Sequence, residues 1–106
     1  MAKYLWEGSY TAEGAKGLVK EGGSSRKQAM TELVKKMGGT VEAFYFAFGA
    51  ADFFVIVDLP DAASAAALSL AVGQSGAIQM RTHVLITPEE LDQASKKSVG
   101  YRAPGR

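Results

Sequence analysis

The apolar residues of this chain are most concentrated between positions 41 and 59, in the segment VEAFYFAFGAADFFVIVDL. Large side chains occupy successive positions on either side of a short turn at residues 49–52. Since successive residues of a strand point to opposite faces of a sheet, each of the two segments presents an apolar surface on both faces. This pattern predicts two strands, over residues 40–48 and 53–59, that are covered on both sides.

Alternating patterns predict two more strands. Residues 3–10 place aromatic or small side chains at every second position. Residues 77–86 place mainly apolar side chains on one face and Gln79, Arg81 and His83 on the other. We expect this second face of the last strand to be the most polar surface of the sheet.

Two long helices are predicted between these strands. The first has apolar residues at the i, i+3, i+4, i+7 spacing of an amphipathic helix, and Ser25 with Gln28 has the pattern of a capping box. The second is the alanine-rich segment 62–75. Two shorter helical segments are expected, over residues 12–20 and from a capping box at Thr87 to about residue 97.

The predicted order of the main elements is β-α-β-β-α-β, which is the ferredoxin-like arrangement of the α+β class. Right-handed connections place both long helices on one face of a four-stranded antiparallel sheet and leave the other face bare. A large apolar face exceeds what a soluble monomer exposes, so we predict that two copies pair sheet to sheet as a homodimer. In the alternative, the C-terminal helix and tail fold across this face.

The length of 106 residues corresponds to one domain, which we place at residues 1–97, followed by a tail at 98–106. A formal net charge of +1 gives no reason to expect a nucleic acid or a membrane as partner. RNA-recognition domains share this strand order, but their basic surface is missing here. The absence of cysteine excludes disulfides and thiolate sites. With no signal-peptide pattern near the start, we expect a complete, cytoplasmic protein.

The chain from about Lys3 to Leu91, through the spacing of residues from Tyr45 onward, resembles the GYD-domain family of small bacterial proteins. That family has a glycine, any residue, a tyrosine and an aspartate between its second and third strands. Here Gly49 and Asp52 match this motif, while Ala51 stands at the tyrosine position. Further matches are Pro60-Asp61 before the alanine-rich helix, Arg81-Thr82 in the last strand and Thr87-Pro88-Glu89-Glu90 after it.

The resemblance implies a ferredoxin-like fold that pairs as a dimeric α+β barrel, and it implies no particular activity. Similar barrels include small-molecule monooxygenases, haem-degrading enzymes and ligand-sensing domains. Our main prediction is an uncharacterised homodimeric barrel domain that binds a small molecule or a protein partner. The alternative is a cofactor-independent monooxygenase-like or haem-handling enzyme that uses the cavity between the two sheets. The sequence identifies no cofactor.

His83 is the only histidine and the one side chain expected to titrate near neutral pH. It shares a strand face with Arg81 and Gln79, and this face meets either Tyr4 and Trp6 or Glu7 of the first strand, depending on register. Between two sheets, Arg81 would bind a carboxylate and His83 would act as a base or a haem ligand. In the other interpretation, His83 is a hydrogen-bonded residue at a strand edge or a subunit interface.

Three further residues are candidate ligand-binding groups. Asp52 is interpreted either as a carboxylate at the mouth of the barrel or as a group that hydrogen-bonds its own turn. Tyr45 and Trp6 are interpreted either as stacking partners of a ligand or as core and interface residues, where aromatic strand residues usually lie. No histidine pair or carboxylate cluster suggests a metal site.

Overall fold

Four strands and four helices follow one another along the chain. The computed structural model describes all 106 residues. The strands form one antiparallel sheet in the order β2-β3-β1-β4, which confirms the predicted α+β, ferredoxin-like arrangement. The elements are β1 (Ala2–Tyr10), α1 (Ala12–Glu21), α2 (Gly23–Lys36), β2 (Thr40–Phe46), β3 (Phe53–Leu59), α3 (Ala62–Gln74), β4 (Ile78–Leu85) and α4 (Pro88–Ser95).

One face of the sheet carries the helices and the hydrophobic core. Every second residue of β1 and β3 points to this face, and Trp6, Val55 and Val57 are completely buried there. Full burial of a large apolar side chain contributes about 1.5–3 kcal/mol, so this layer supplies most of the packing energy. Helices α2 and α3 cover the strands with Met30 and Val34 from α2, and Ala65, Leu68 and Val72 from α3.

Helix α1 has 10 residues and ends at Glu21, one residue beyond the helical segment predicted over residues 12–20. Thr11 caps its start, because the Thr11 Oγ1 accepts a hydrogen bond from the Gly14 N–H at 3.2 Å. The same hydroxyl donates to the carbonyl of Gly76 at 3.0 Å. The start of the helix is thereby attached to the segment before β4, a long-range contact that the local sequence does not reveal.

Helix α2 follows α1 directly through Gly22, whose φ of +92° is a conformation that favours glycine. The helix begins at Gly23, so Ser25 and Gln28 both lie inside it, and no side chain caps its start. The predicted capping box at Ser25 is therefore wrong. Helix α2 starts where the positive φ of Gly22 turns the chain, and no side chain caps its first turn.

Strand β2 ends at Phe46, two residues earlier than predicted. The Ala47 N–H donates a hydrogen bond to the Asp52 carbonyl at 2.8 Å and closes the loop between β2 and β3. Phe48 lies at the exposed tip of this loop. The apolar run therefore continues past the strand, and hydrophobicity alone overestimates its length.

No element covers the second face of the sheet, and we call it the open face. The apolar character predicted for the hairpin holds at the centre of this face, where Tyr45, Phe54 and Ile56 lie near Leu5. Charged groups lie on either side of this apolar band. The face presents alternate side chains of all four strands: Lys3, Leu5, Glu7 and Ser9 from β1, Ala43 and Tyr45 from β2, Phe54, Ile56 and Asp58 from β3, and Gln79, Arg81, His83 and Leu85 from β4.

A cluster of three charges connects β1, β2 and β3 on the open face. The Lys3 Nζ lies 3.0 Å from the Glu42 Oε2 and 3.1 Å from the Asp58 Oδ1. Glu42 reaches this cluster because β2 has a bulge between Val41 and Ala43 that shifts its pairing with β3. Hydrogen bonds to Glu42 and then to Asp58 raise the pKa of the Lys3 ammonium group above its ordinary value.

The C-terminal segment lies apart from the rest of the chain. All residues from 86 to 102 are exposed, and α4 makes almost no contact with another element. The molecule is accordingly elongated and measures 56 × 33 × 23 Å along its principal axes. The structure therefore disagrees with the alternative in which the C-terminal helix and tail fold across the open face.

Helix α1 offers a matched pair of glycine substitutions. A Cβ on Gly14 would overlap the Ala77 carbonyl oxygen, whereas a Cβ on Gly17 would meet nothing within 4 Å. We expect Gly17→Ala to raise the free energy of unfolding by about 0.5–1 kcal/mol, because alanine favours a helix over glycine. We expect Gly14→Ala to lower it by about 1–3 kcal/mol, because the backbone at Ala77 must move. Urea denaturation followed by circular dichroism measures both values, and equal effects would contradict the close approach of α1 to Ala77.

Candidate functional site

A pocket of about 340 Å³ lies where β1 and β4 meet the turn between β2 and β3. Its polar side chains belong to the open face, with Glu7 and Ser9 from β1 and Gln79 and Arg81 from β4. The register pairs Glu7 with Arg81 and Ser9 with Gln79, so antiparallel pairing brings together groups from the two ends of the chain. The wall is completed by Ala50, Ala51 and Met80.

His83 lies beside this pocket, two residues along β4 from Arg81. Its Nε2 is 3.1 Å from the Glu7 Oε1. The two residues are diagonal neighbours across the strands, because His83 pairs with Leu5 while Glu7 pairs with Arg81. The His83 side chain remains 47% exposed, so a molecule on the open face can reach it. Of the two registers left open by the sequence, the structure has the one in which His83 meets Glu7.

Arg81 has an unpaired guanidinium group at the edge of the pocket. The ion pairs of this chain use Lys3, Lys16 and His83 as their cations, and no side chain bonds to Arg81. A guanidinium has five N–H donors, and it binds a carboxylate or a phosphate through two parallel hydrogen bonds. The pocket thus places an anion-binding group next to a histidine–carboxylate pair.

Tyr45 lies on the same open face, at the opposite edge of the sheet. Tyr45, Phe54, Glu7 and Arg81 form one row across the four strands. With neighbouring strands about 4.8 Å apart, three spacings separate Tyr45 from Arg81, or about 14 Å. The structure therefore places Tyr45, Arg81 and His83 on one surface, although Tyr45 does not line the pocket of its own chain.

Trp6 lies on the helix-covered side of the sheet, away from these groups. Its side chain is 1% exposed, and its Nε1 has no hydrogen-bond partner. Neighbouring strand residues point to opposite faces, so the position next to Glu7 cannot contribute to the same surface. Trp6 packs in the core and is not brought together with His83.

Asp52 fixes the turn that forms one wall of the pocket. Its Oδ2 accepts a hydrogen bond from the Tyr10 N–H at 2.8 Å. Its own N–H donates to the Gly8 carbonyl at 2.7 Å, and its carbonyl accepts from the Ala47 N–H at 2.8 Å. The first two bonds attach the turn to the end of β1, where the pocket begins, and the third closes the turn towards β2.

The sequence candidates include only Arg81 of the seven pocket residues and miss the other six: Glu7, Ser9, Ala50, Ala51, Gln79 and Met80. The alternation in β1 marks the odd-numbered residues as the face opposite Trp6, and this was the available signal for Glu7 and Ser9. The sequence does not determine the register between β1 and β4, which decides which of these residues meets Arg81. Ala51 enters the pocket only through the folding of the turn.

This turn also carries the residues on which the family resemblance depends. A family model described as the GYD domain matches residues 4–95 of the 106-residue chain. The chain belongs to the GYD-domain family. Gly49 and Asp52 of this GYD domain mark the two ends of the turn, and Ala51, at the tyrosine position, is buried in the pocket wall.

Neither the curated proteins nor the solved structures include a significant match to this GYD-domain chain. None of its four helices combines the length and the hydrophobicity that crossing a membrane requires. No group of three or more histidine, aspartate and glutamate side chains is arranged to hold a metal ion.

Two substitutions of Asp52 test its role in holding the turn. Asp52→Ala removes the acceptor for the partly buried Tyr10 N–H, and we expect it to lower the free energy of unfolding by about 1–3 kcal/mol. Asp52→Asn keeps an oxygen acceptor at the same position, so we expect a loss of less than half as much. Urea denaturation of the two variants measures the difference. An Asp52→Ala variant as stable as the wild type would show that the hydrogen bond does not support the fold.

Proposed function

We propose that this GYD domain is a homodimer, formed by pairing of two open faces, that binds a small anionic molecule between its sheets. The observation that carries this proposal is the apolar band on the open face, in which Tyr45 is 72% exposed and Phe54 and Ile56 have no covering element. Full burial of each large side chain would contribute up to about 1.5–3 kcal/mol. A second copy supplies a covering surface of the same kind, as symmetric dimers do.

The distribution of charge supports pairing through this face. The Lys3–Glu42–Asp58 cluster lies towards one end of the sheet, and the Glu7–His83 pair with Arg81 lies towards the other. Leu5 and Ile56 lie between these groups, and Phe54 and Tyr45 extend the apolar surface across β3 and β2, so the face combines apolar and polar residues as a protein interface does. The charges at its ends would fix the orientation of the partner.

Pairing would turn each surface pocket into an enclosed site. Packed sheets lie about 10 Å apart, so the partner sheet would cover the groups that now face solvent. Arg81 would then bind the carboxylate or phosphate of the molecule, and the apolar band of the two sheets would contact its carbon skeleton. A volume of about 340 Å³ is near the lower end of the range for ligand sites, which favours a small molecule over a large one.

An enzymatic function is the second candidate, and the Glu7–His83 contact favours it. A carboxylate that hydrogen-bonds one imidazole nitrogen orients the ring and leaves the other nitrogen free to accept a proton. A monooxygenase-like or haem-handling enzyme would use such a base or ligand in the inter-sheet cavity. In that case His83 acts on the bound molecule, whereas in a binding domain only Arg81 is required.

Light scattering at several concentrations tests the dimer. We expect about 22 kDa for the wild type, twice the 11.2 kDa of one chain, and monomers for Tyr45→Asp, because the new carboxylate would be buried without a partner. Leu70→Asp on α3 is the matched control, since Leu70 is equally exposed but lies on the helix side. A wild type of 11 kDa at all concentrations would overturn the proposal.

Thermal shift and absorbance titration with small aromatic carboxylates, inorganic phosphate and haem test the site. We expect an anion to stabilise the wild type and Arg81→Gln to weaken its binding at least about tenfold, because a charged hydrogen bond is lost. Ala51→Tyr, which fills the pocket, should have a similar effect, whereas Arg26→Gln on α2 should bind as the wild type does. Binding that survives both Arg81→Gln and Ala51→Tyr would place the ligand elsewhere.

His83→Ala separates the two candidate functions. A binding domain should retain most of its affinity for the anion in this variant. A haem-handling protein should lose the absorbance change on haem addition, since its axial ligand would be absent. The haem titration therefore separates a haem-handling protein from a binding domain without knowledge of a substrate.

A further inference from the structure

The last 21 residues, 86–106, form a segment that we call the C-terminal arm. It contains α4 and the tail, and residues 86–102 are all exposed. A nine-residue strand spans about 30 Å, so the sheet explains roughly half of the 56 Å length of the molecule. The radius of gyration is 16.8 Å, against about 13 Å for a compact domain of this size. The arm therefore projects from the domain.

Helix α4 is well formed at its start but has no tertiary support. The Thr87 Oγ1 accepts a hydrogen bond from the Glu90 N–H, and the Glu90 Oε1 accepts one from the Thr87 N–H, both at 3.0 Å. Pro88 occupies the first turn. Yet the helix has only eight residues, and isolated helices shorter than about 12–15 residues are marginal in water. A capped helix of this length needs a surface to pack on.

The arm carries apolar residues that could occupy such a surface. Leu91 in α4 and Val99 and Tyr101 in the tail are each more than half exposed. Helix α4 makes almost no contact with any other element of its own chain, and Val99 and Tyr101 are 82% and 77% exposed. The covering surface must therefore come from another molecule.

The place where the arm begins indicates that this molecule is a second copy. The arm leaves the edge strand β4 directly after Leu85, a residue of the open face. When two open faces pair, the arm of each copy lies at the rim of the shared interface and continues from it onto the partner. Each copy contributes the same arm, so the two contacts are related by symmetry.

The charges of the arm and of the open face also indicate that the arm packs on a second copy. Residues 96–106 contain four basic side chains, Lys96, Lys97, Arg102 and Arg106, and no acidic one. The open face carries three carboxylates, Glu7, Glu42 and Asp58, against the two cations Lys3 and Arg81, a net charge of −1. The basic end of the arm is thus complementary to the face beside which it would lie.

We infer that the two copies of the dimer exchange their C-terminal arms, with Leu91, Val99 and Tyr101 of each arm packed on the partner. This inference rests on the proposed pairing of the open faces. It adds a second contact region, which the sheet faces alone do not provide.

Sedimentation equilibrium of the full-length chain tests the exchange. We expect Leu91→Asp to raise the dimer dissociation constant at least tenfold, although Leu91 is 58% exposed in the single chain. Val19→Asp on α1, another exposed apolar residue, is the matched control and should leave the constant unchanged. A Leu91→Asp variant that dimerises as tightly as the wild type overturns the exchange and leaves the sheet-to-sheet dimer standing. A wild type that never dimerises overturns both.

A spin label distinguishes a partner contact from a contact within one chain. The protein has no cysteine, so Gln93→Cys in α4 provides a single attachment site that keeps the apolar residues of the arm. We expect the label to be immobilised at concentrations where the dimer forms and mobile after dilution to the monomer. A label that is mobile in the dimer, or immobilised to the same degree in the monomer, overturns the exchange.

Discussion

β1 and β3 pair side by side in the middle of the sheet, from Ala2 opposite Leu59 to Gly8 opposite Phe53, and the other elements are arranged around this pair. Both strands are interior, so their backbone groups form hydrogen bonds with a neighbouring strand on each side. Their side chains point either to the helix-covered face of the sheet or to the open face. The inward set includes Trp6, Val55 and Val57, and both long helices pack on it. A single layer of helices can cover only one face, so the open face follows from the connection order and not from any feature of its own residues.

The same strand pair determines where the pocket lies. Gly8 has no Cβ, and a side chain there would overlap the ring of Phe53, which covers it. This close approach brings the residue before Phe53, Asp52, to the backbone of Gly8 and Tyr10. The turn is thereby held against the end of β1, and its alanines form a wall beside Glu7 and Ser9. The position of the pocket is thus a consequence of core packing on the other side of the sheet.

The hydrophobic pattern was sufficient to predict the order of the elements and the bounds of β3, and the residues Thr87-Pro88-Glu89-Glu90 were sufficient to predict the capping box, because these features depend on residues close in sequence. It failed where a distant contact decides the outcome. The extent of helix α1 was predicted to within one residue, but the attachment of its start to the segment before β4 through Thr11 was not predicted. Ser25 and Gln28 match a cap pattern, but Gly22 starts the helix earlier.

The candidate site likewise has features that follow from residues close in sequence and features that depend on distant contacts. Alternation alone places His83 and Arg81 on one face of their strand. The contact of His83 with Glu7 depends on a register between the first and last strands, and no local signal sets it. Glu42 reaches Lys3 and Asp58 only because β2 has a bulge, and the residues of β2 do not predict this bulge. The hydrogen bond from Tyr10 to Asp52 likewise links residues 42 positions apart.

Trp6 is the only tryptophan of the chain, and it lies in the core on the side of the sheet away from the pocket. Its indole is surrounded by the residues that the helices cover, and solvent reaches it only when those helices separate from the sheet. Its emission spectrum therefore reports on the integrity of the core and is shielded from events on the opposite surface. The natural chain thus contains an optical probe that separates unfolding from assembly and ligand binding without any added dye.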